Sequence, residues 1–123
     1  MTDRDCQDLL TQLVRHEKMS RVKPPVTLKI YNKRGSNASY QDHTIRLSRS
    51  QYQDSYYGRL ALIVHEFAHL VAHHKNGHDN LKPHGKEFKR QETRLLKLYG
   101  LTIERDGAYA KTLYSNGKEV WHK

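Results

Sequence analysis

The sequence predicts an α+β fold, and three features carry that expectation. Short runs of alternating apolar and polar residues fill positions 26–48, the pattern of half-buried strands. Two longer stretches, from about 55 to 75 and from 83 to 99, place apolar residues at helical spacing. Near the end, Asn116-Gly117 stands between two β-prone runs, a strong local hairpin signal. At 123 residues the chain has room for a single domain over 1–123, with its core at about 20–100 and a C-terminal β-hairpin at about 101–123. A hydrophobic fraction of 36% predicts a small core and a polar surface.

Residues 3–18, "DRDCQDLLTQLVRHEK", set Cys6, Leu9, Leu10, Leu13 and Val14 on one helical stripe, and Thr2 or Asp3 can cap the first turn. Pro24 and Pro25 stop this helix, since proline has no N–H to continue the ladder. In "VTLKIYN", Val26, Leu28 and Ile30 alternate with Thr27, Lys29 and Tyr31, which reads as a strand. "KRGSN" is a loop on Gly35. "ASYQDHTIRLS" then reads as two short strands joined around Asp42-His43, with Ile45 and Leu47 on one face. Together these runs predict a small antiparallel sheet. A long helix follows from Asp54 or Ser55 to about Lys75, where Asn76-Gly77 ends it. Leu60, Ile63, Val64, Phe67, Leu70 and Val71 cover a wide arc of that helix, so it is largely buried. "GHDNLKP" is a loop, and Pro83 suits the first position of the next helix, whose apolar side is Phe88, Leu95, Leu96 and Leu98 until Gly100. The last stretch, "AYAKTLYSNGKEVWHK", forms the hairpin. No repeat, low-complexity segment or linker is evident.

Composition narrows the function classes. Cys6 is the only cysteine, so neither an internal disulfide nor a cysteine zinc cluster can form. Nothing resembles a signal peptide, and no apolar run approaches the roughly 18 residues of a membrane span. The expectation is a cytoplasmic or nucleoid-associated protein, not secreted, with no membrane partner and monomeric. A net charge of +9 is enough to attract an anionic polymer, although a generally soluble basic surface explains it equally well.

The chemistry concentrates in "VHEFAHLVAHHKNGHDNLKPHGKEF", residues 64–88, which holds six of the nine histidines. His65 and His69, four apart on a helix, lie on one face about 5–6 Å apart, so both imidazoles can reach one ion. Glu66 is rotated by about 100° from His65, which sets its carboxylate beside the ion, where it can take a proton from water. Zinc suits neutral imidazole nitrogens, and a catalytic zinc site needs only three protein ligands. Two helical histidines can also be simple surface residues. Here, however, they sit within the apolar run "LALIVHEFAHLVA", where burying them without partners costs several kcal/mol. A metal supplies the partnership.

The third ligand has several candidates. In the pattern H-E-x-x-H-x-x-G-x-x-H the glycine and third histidine would fall at Ala72 and Lys75, so that pattern fails. His73 lies a further turn along the same helix, past an ion held by His65 and His69, and His74 points roughly another 100° around. His84 can approach from a separate element if the loop 76–82 reverses the chain. Gly85 beside it allows close backbone approach, and Phe88 can anchor it. His84 is favoured and His78 is next.

The run "HEFAHLVAHHKNGHDNLKPHGKEFKR" resembles the SprT-like zinc metallopeptidases, whose pattern is H-E-x-x-H, a loop, then H-G-x-x-F/W opening a following helix. The upstream "HTIRLSRSQY" is similar to the family's I-x-L-S strand before the metal helix. The resemblance covers roughly residues 26–99. It implies one zinc per chain held by His65, His69 and His84, Glu66 as the catalytic glutamate, and a protein substrate. The implied fold is a minimal zincin, a small antiparallel sheet packed on the metal helix and its neighbours. Many members carry a cysteine zinc ribbon after the protease core. Residues 101–123 contain no cysteine, and the hairpin stands in that place. Members that act on proteins crosslinked to DNA use DNA binding to direct cleavage.

Within the hairpin, Tyr109, Lys111, Tyr114, Lys118, Trp121, His122 and Lys123 mix aromatic and basic groups that can stack bases and neutralise phosphates. The same aromatics can instead pack the hairpin on the core while the lysines stay solvated. Two functions follow. One is a zinc-dependent metallopeptidase, directed by DNA or not. The other is a DNA-binding or scaffold module that keeps a structural zinc and cuts nothing. Glu66 favours the first, because a structural site has no use for a base.

Overall fold

The computed structural model describes residues 1–77, 82–107 and 110–123. Helix α1, Asp3–His16, begins with a capping box: the Thr2 hydroxyl accepts from the Asp5 N–H while the Asp5 carboxylate accepts from the Thr2 N–H. Its buried stripe is Cys6, Leu9, Leu10 and Leu13, with Val14 half-buried at the margin. Three strands follow, β1 (Thr27–Tyr31), β2 (Asn37–Ser39) and β3 (Thr44–Ser48).

Their sheet is mixed, not antiparallel as the sequence suggested. β3 lies in the centre, antiparallel to β2 but parallel to β1, with Leu28 opposite Ile45 and Ile30 opposite Leu47. The reason is connectivity. β2 and β3 form a hairpin that inserts β3 beside β1, and a parallel pair needs a crossover of about a dozen residues. Positions 32–43 provide it, with β2 folded inside the crossover. Ile45 and Leu47 then face inward and are fully buried.

Helix α2, Tyr56–Asn76, starts at Ser55, whose hydroxyl accepts from the Gly58 N–H, and stops at Gly77, where φ is 77°. It packs against β2 and β3 on one side and against α3 (Lys86–Lys97) on another. Pro83 and His84 stand in a turn before α3 and do not open the helix. Gly85 is the N-cap, and its N–H closes the turn on the Lys82 carbonyl at 3.1 Å. A Cβ on Gly85 would come within 2.9 Å of Lys82 Cβ, so the close approach read from the sequence is present.

The C-terminal part is a second, three-stranded antiparallel sheet, β4 (Leu101–Asp106), β5 (Ala110–Ser115) and β6 (Lys118–His122), in the order β4-β5-β6. The hairpin about Asn116-Gly117 is as expected, and both turn residues have the positive φ that a type I′ turn requires. β4 extends it by one strand. One buried apolar cluster joins Leu10 of α1, Ile45 of β3, Phe67 of α2, Leu95 of α3, and Leu101 and Leu113 of the second sheet. Among the described residues no helix is long and apolar enough to cross a membrane.

Candidate metal centre

His65 and His69 project from successive turns of α2, and His84 meets them from the turn before α3. Their rings form a near-equilateral triangle, with centroids 5.1 Å (His65–His69), 5.2 Å (His65–His84) and 5.0 Å (His69–His84) apart. Each offers a nitrogen, and these atoms lie within 4.8 Å of one another. The Nε2 atoms of His65 and His84 are 3.3 Å apart. Two nitrogens at about 2.0–2.1 Å from a tetrahedral zinc stand at about that separation, so the donor set fits the ion. Phe88, one turn into α3, floors the triangle. It stacks on His69 at 4.3 Å and meets His65 and His84 edge-on at 4.8 and 5.1 Å.

The electrostatics favour the ligating form. Burial, then the neighbouring His65 and His84 rings, push the His69 imidazole down to about 3. Burial also lowers the values of His65 and His84. Neutral rings are the metal-binding species. Glu66, 5% exposed, lines the same cleft, and burial pushes its carboxyl up to about 7. The cleft holds about 420 Å³ and is bounded by β2 and Tyr40 on one side and by Lys111, Trp121 and Lys123 of the C-terminal region on the other.

Other histidines fall elsewhere. His73 lines the cleft and stacks on Tyr40 with ring centroids 4.4 Å apart, and His74 is exposed. His78 lies outside the described residues, as does Tyr109. Of the cations singled out in the hairpin, Lys118 and Lys123 are exposed, whereas Lys111 turns inward. Trp121 is half-buried and meets Tyr52 edge-on at 5.2 Å.

Sequence reasoning missed Glu92. This buried carboxylate on α3 accepts from His65 Nδ1 at 3.0 Å, from Lys111 Nζ at 3.0 Å and from Arg105 Nη2 at 2.8 Å. Burial opposes its charge, yet the His65 bond, the Lys111 ammonium and the Arg105 guanidinium outweigh it and hold the carboxyl well below the usual carboxylate range. A signal was present. Glu92 is four residues after Phe88, and so on the face of α3 that floors the site.

A family model described as the SprT-like family matches residues 4–107 of the chain. No curated protein and no solved structure gives a match.

Proposed function

Since the chain belongs to the SprT-like family, we propose that it is a zinc-dependent metallopeptidase of zincin type that hydrolyses peptide bonds in proteins. The observation that carries this reading is the placement of Glu66 in the cleft onto which the three-histidine triangle opens. His65, His69 and His84 would hold the ion. Zinc, when bound, acts as a Lewis acid that lowers the pKa of water to about 7 and polarises a substrate carbonyl. The chain supplies the remainder. Glu66 takes a proton from the attacking water and passes it to the leaving amine, and a carboxyl that titrates near neutrality is suited to both transfers. Phe88 packs on all three histidine rings and braces them, and Trp121 and Tyr40 border the space where an extended substrate would lie.

DNA direction is part of the proposal, supported by the +9 charge and by Lys118, Lys123 and Trp121 on the rim of the second sheet. The test is incubation of zinc-loaded protein with a loosely folded protein, alone and with single- or double-stranded DNA. Cleavage by wild type and none by Glu66→Gln is expected. Zinc binding without cleavage under every condition would favour a scaffold with a structural metal.

A further inference from the structure

We propose that Glu92 is a positioning residue for the metal centre, and that the C-terminal sheet acts on the site through it. Arg105 and Lys111 clamp the carboxylate, and the carboxylate sets the tautomer and orientation of the His65 ring. This rests on the metal site of the preceding section and deepens that reading.

The tautomer follows from donor and acceptor chemistry. An ionised carboxylate can only accept, so the 3.0 Å contact with Glu92 Oε2 puts the hydrogen on His65 Nδ1, and the Lys111 ammonium, 3.3 Å from that nitrogen, makes its shorter bond, 3.0 Å, to Glu92 Oε2. Nε2 then keeps its lone pair, and Nε2 is the atom that faces His84 across 3.3 Å. The opposite tautomer would put a proton on the nitrogen that must ligate. A carboxylate behind a ligating histidine also fixes the ring plane.

The clamp explains an otherwise costly feature of the sheet. Arg105 of β4 and Lys111 of β5 are directly opposed in the strand register, and like charges so placed destabilise a sheet. Both reach one buried anion instead, Arg105 on Oε1 and Lys111 on Oε2, so each carboxylate oxygen is held. Arg105 is itself anchored on the Lys89 carbonyl and the Thr93 hydroxyl, both at 3.2 Å, which straps β4 to α3. Glu92 is 2% exposed, so the arrangement is shielded from competing water.

The experiment uses the full chain and three readouts: zinc affinity by competition with a chromophoric chelator, the visible spectrum of the cobalt-loaded protein, and long-range proton–nitrogen NMR of the histidine rings. Glu92→Gln should bind zinc about 10–100-fold more weakly and shift the cobalt spectrum. Lys111→Met, which loosens the clamp but leaves the carboxylate, should move both in the same direction by less. In the metal-free wild type, His65 should be protonated at Nδ1. A folded Glu92→Gln with wild-type zinc affinity and an unchanged cobalt spectrum overturns the proposal. If that variant does not fold, the wild-type NMR decides, and a His65 ring protonated at Nε2 overturns it equally. Wild type that binds zinc tightly through Glu92-oriented His65 yet cleaves nothing would sink the peptidase reading and leave this one standing.

Discussion

The helix pair α2–α3 and the sheet β4–β6 reach the same centre by different routes. On α2 the chemistry is local: His65, Glu66 and His69 are fixed relative to one another by a single helical turn, whatever the rest of the chain does. The sheet contributes by tertiary contact alone. Arg105 and Lys111 touch Glu92 only because β4 and β5 pair in one register and β4 lies against α3, and Trp121 and Lys123 border the cleft because β6 pairs with β5 and packs against α2. Helical spacing therefore writes chemistry into a short motif, whereas a sheet writes support that no short motif reveals.

The largest effect should come from the helical side. Glu66→Gln keeps the size of the side chain but removes its ability to take a proton, so peptide hydrolysis should fall by about 10²–10⁴-fold. Zinc content and melting temperature should stay near wild type. Turnover equal to wild type would place the base elsewhere and break the assignment of chemistry to the local motif.

Next is the metal itself. His84→Ala should lose most zinc retention, while His73→Ala and His74→Ala should keep it, measured by metal analysis after dialysis. Because His84 ties the turn before α3 to α2, bound zinc should also stabilise the fold, by about 2.7 kcal/mol at a free concentration one hundred times Kd. Melting in excess chelator checks this, and an unchanged melting temperature would show that ligation does not brace the helix pair.

The same division explains what was legible in the sequence. The bounds of α2 were readable because Ser55 and Gly77 are local caps. The three rings were readable because two are four residues apart and the third is followed by Gly85 and Phe88. The parallel pairing of β1 with β3 was not, since it depends on where the β2–β3 hairpin inserts and not on any one strand's pattern. β4 was overlooked although Leu101, Ile103 and Arg105 alternate inward against exposed Thr102, Glu104 and Asp106. That alternation puts Arg105 on the core-facing side, where a cation demands a buried partner. Glu92 is that partner, and pairing the two required knowing which helix the strand covers.

A second buried carboxylate sharpens the contrast. Glu17, at the C-cap of α1, is bonded by Arg94 of α3 and by His16, far from the ligands in role if not in construction. Burial works against its charge, but the bonds from Arg94 and His16 prevail and lower its value. A depressed folded value means that its stabilisation is present above the unfolded value of about 4.3 and is lost as pH falls below it. Glu17→Gln should cost about 1.5–3 kcal/mol at neutral pH. Denaturation curves of mutant and wild type should converge in acid. Zinc affinity should not change, in contrast to Glu92→Gln. A weakened metal site in Glu17→Gln would mean that any loosening of α3 disturbs the ligands, and the special place given to Glu92 would go.

The smallest effects should lie at the exposed cations of the second sheet, in the test of DNA binding. The cations of this sheet divide by partner: Lys111 is spent on Glu92, whereas Lys118 and Lys123, the latter at the edge of the cleft, remain exposed. If DNA binds here through phosphates, log affinity should fall linearly with log salt, and each lysine in contact contributes about 0.9 to the slope on duplex and about 0.7 on single strands. Lys118→Ala and Lys123→Ala should each reduce the slope by about that amount. Lys111→Ala should change it little, because that ammonium already has a protein partner. Trp121 meets Tyr52 edge-on and is only half-buried, so a base could stack on its remaining face, a contact worth about 1–3 kcal/mol that should vanish in Trp121→Ala without altering the slope. Circular dichroism of that variant comes first, since Trp121 also sits opposite the buried Leu113 in the β5–β6 register. A slope that drops with Lys111 and not with Lys118 or Lys123 would reverse the division between the paired and the exposed cations. Binding that is absent even at low salt would leave the exposed lysines as solvated surface, and the sheet with its inward task alone.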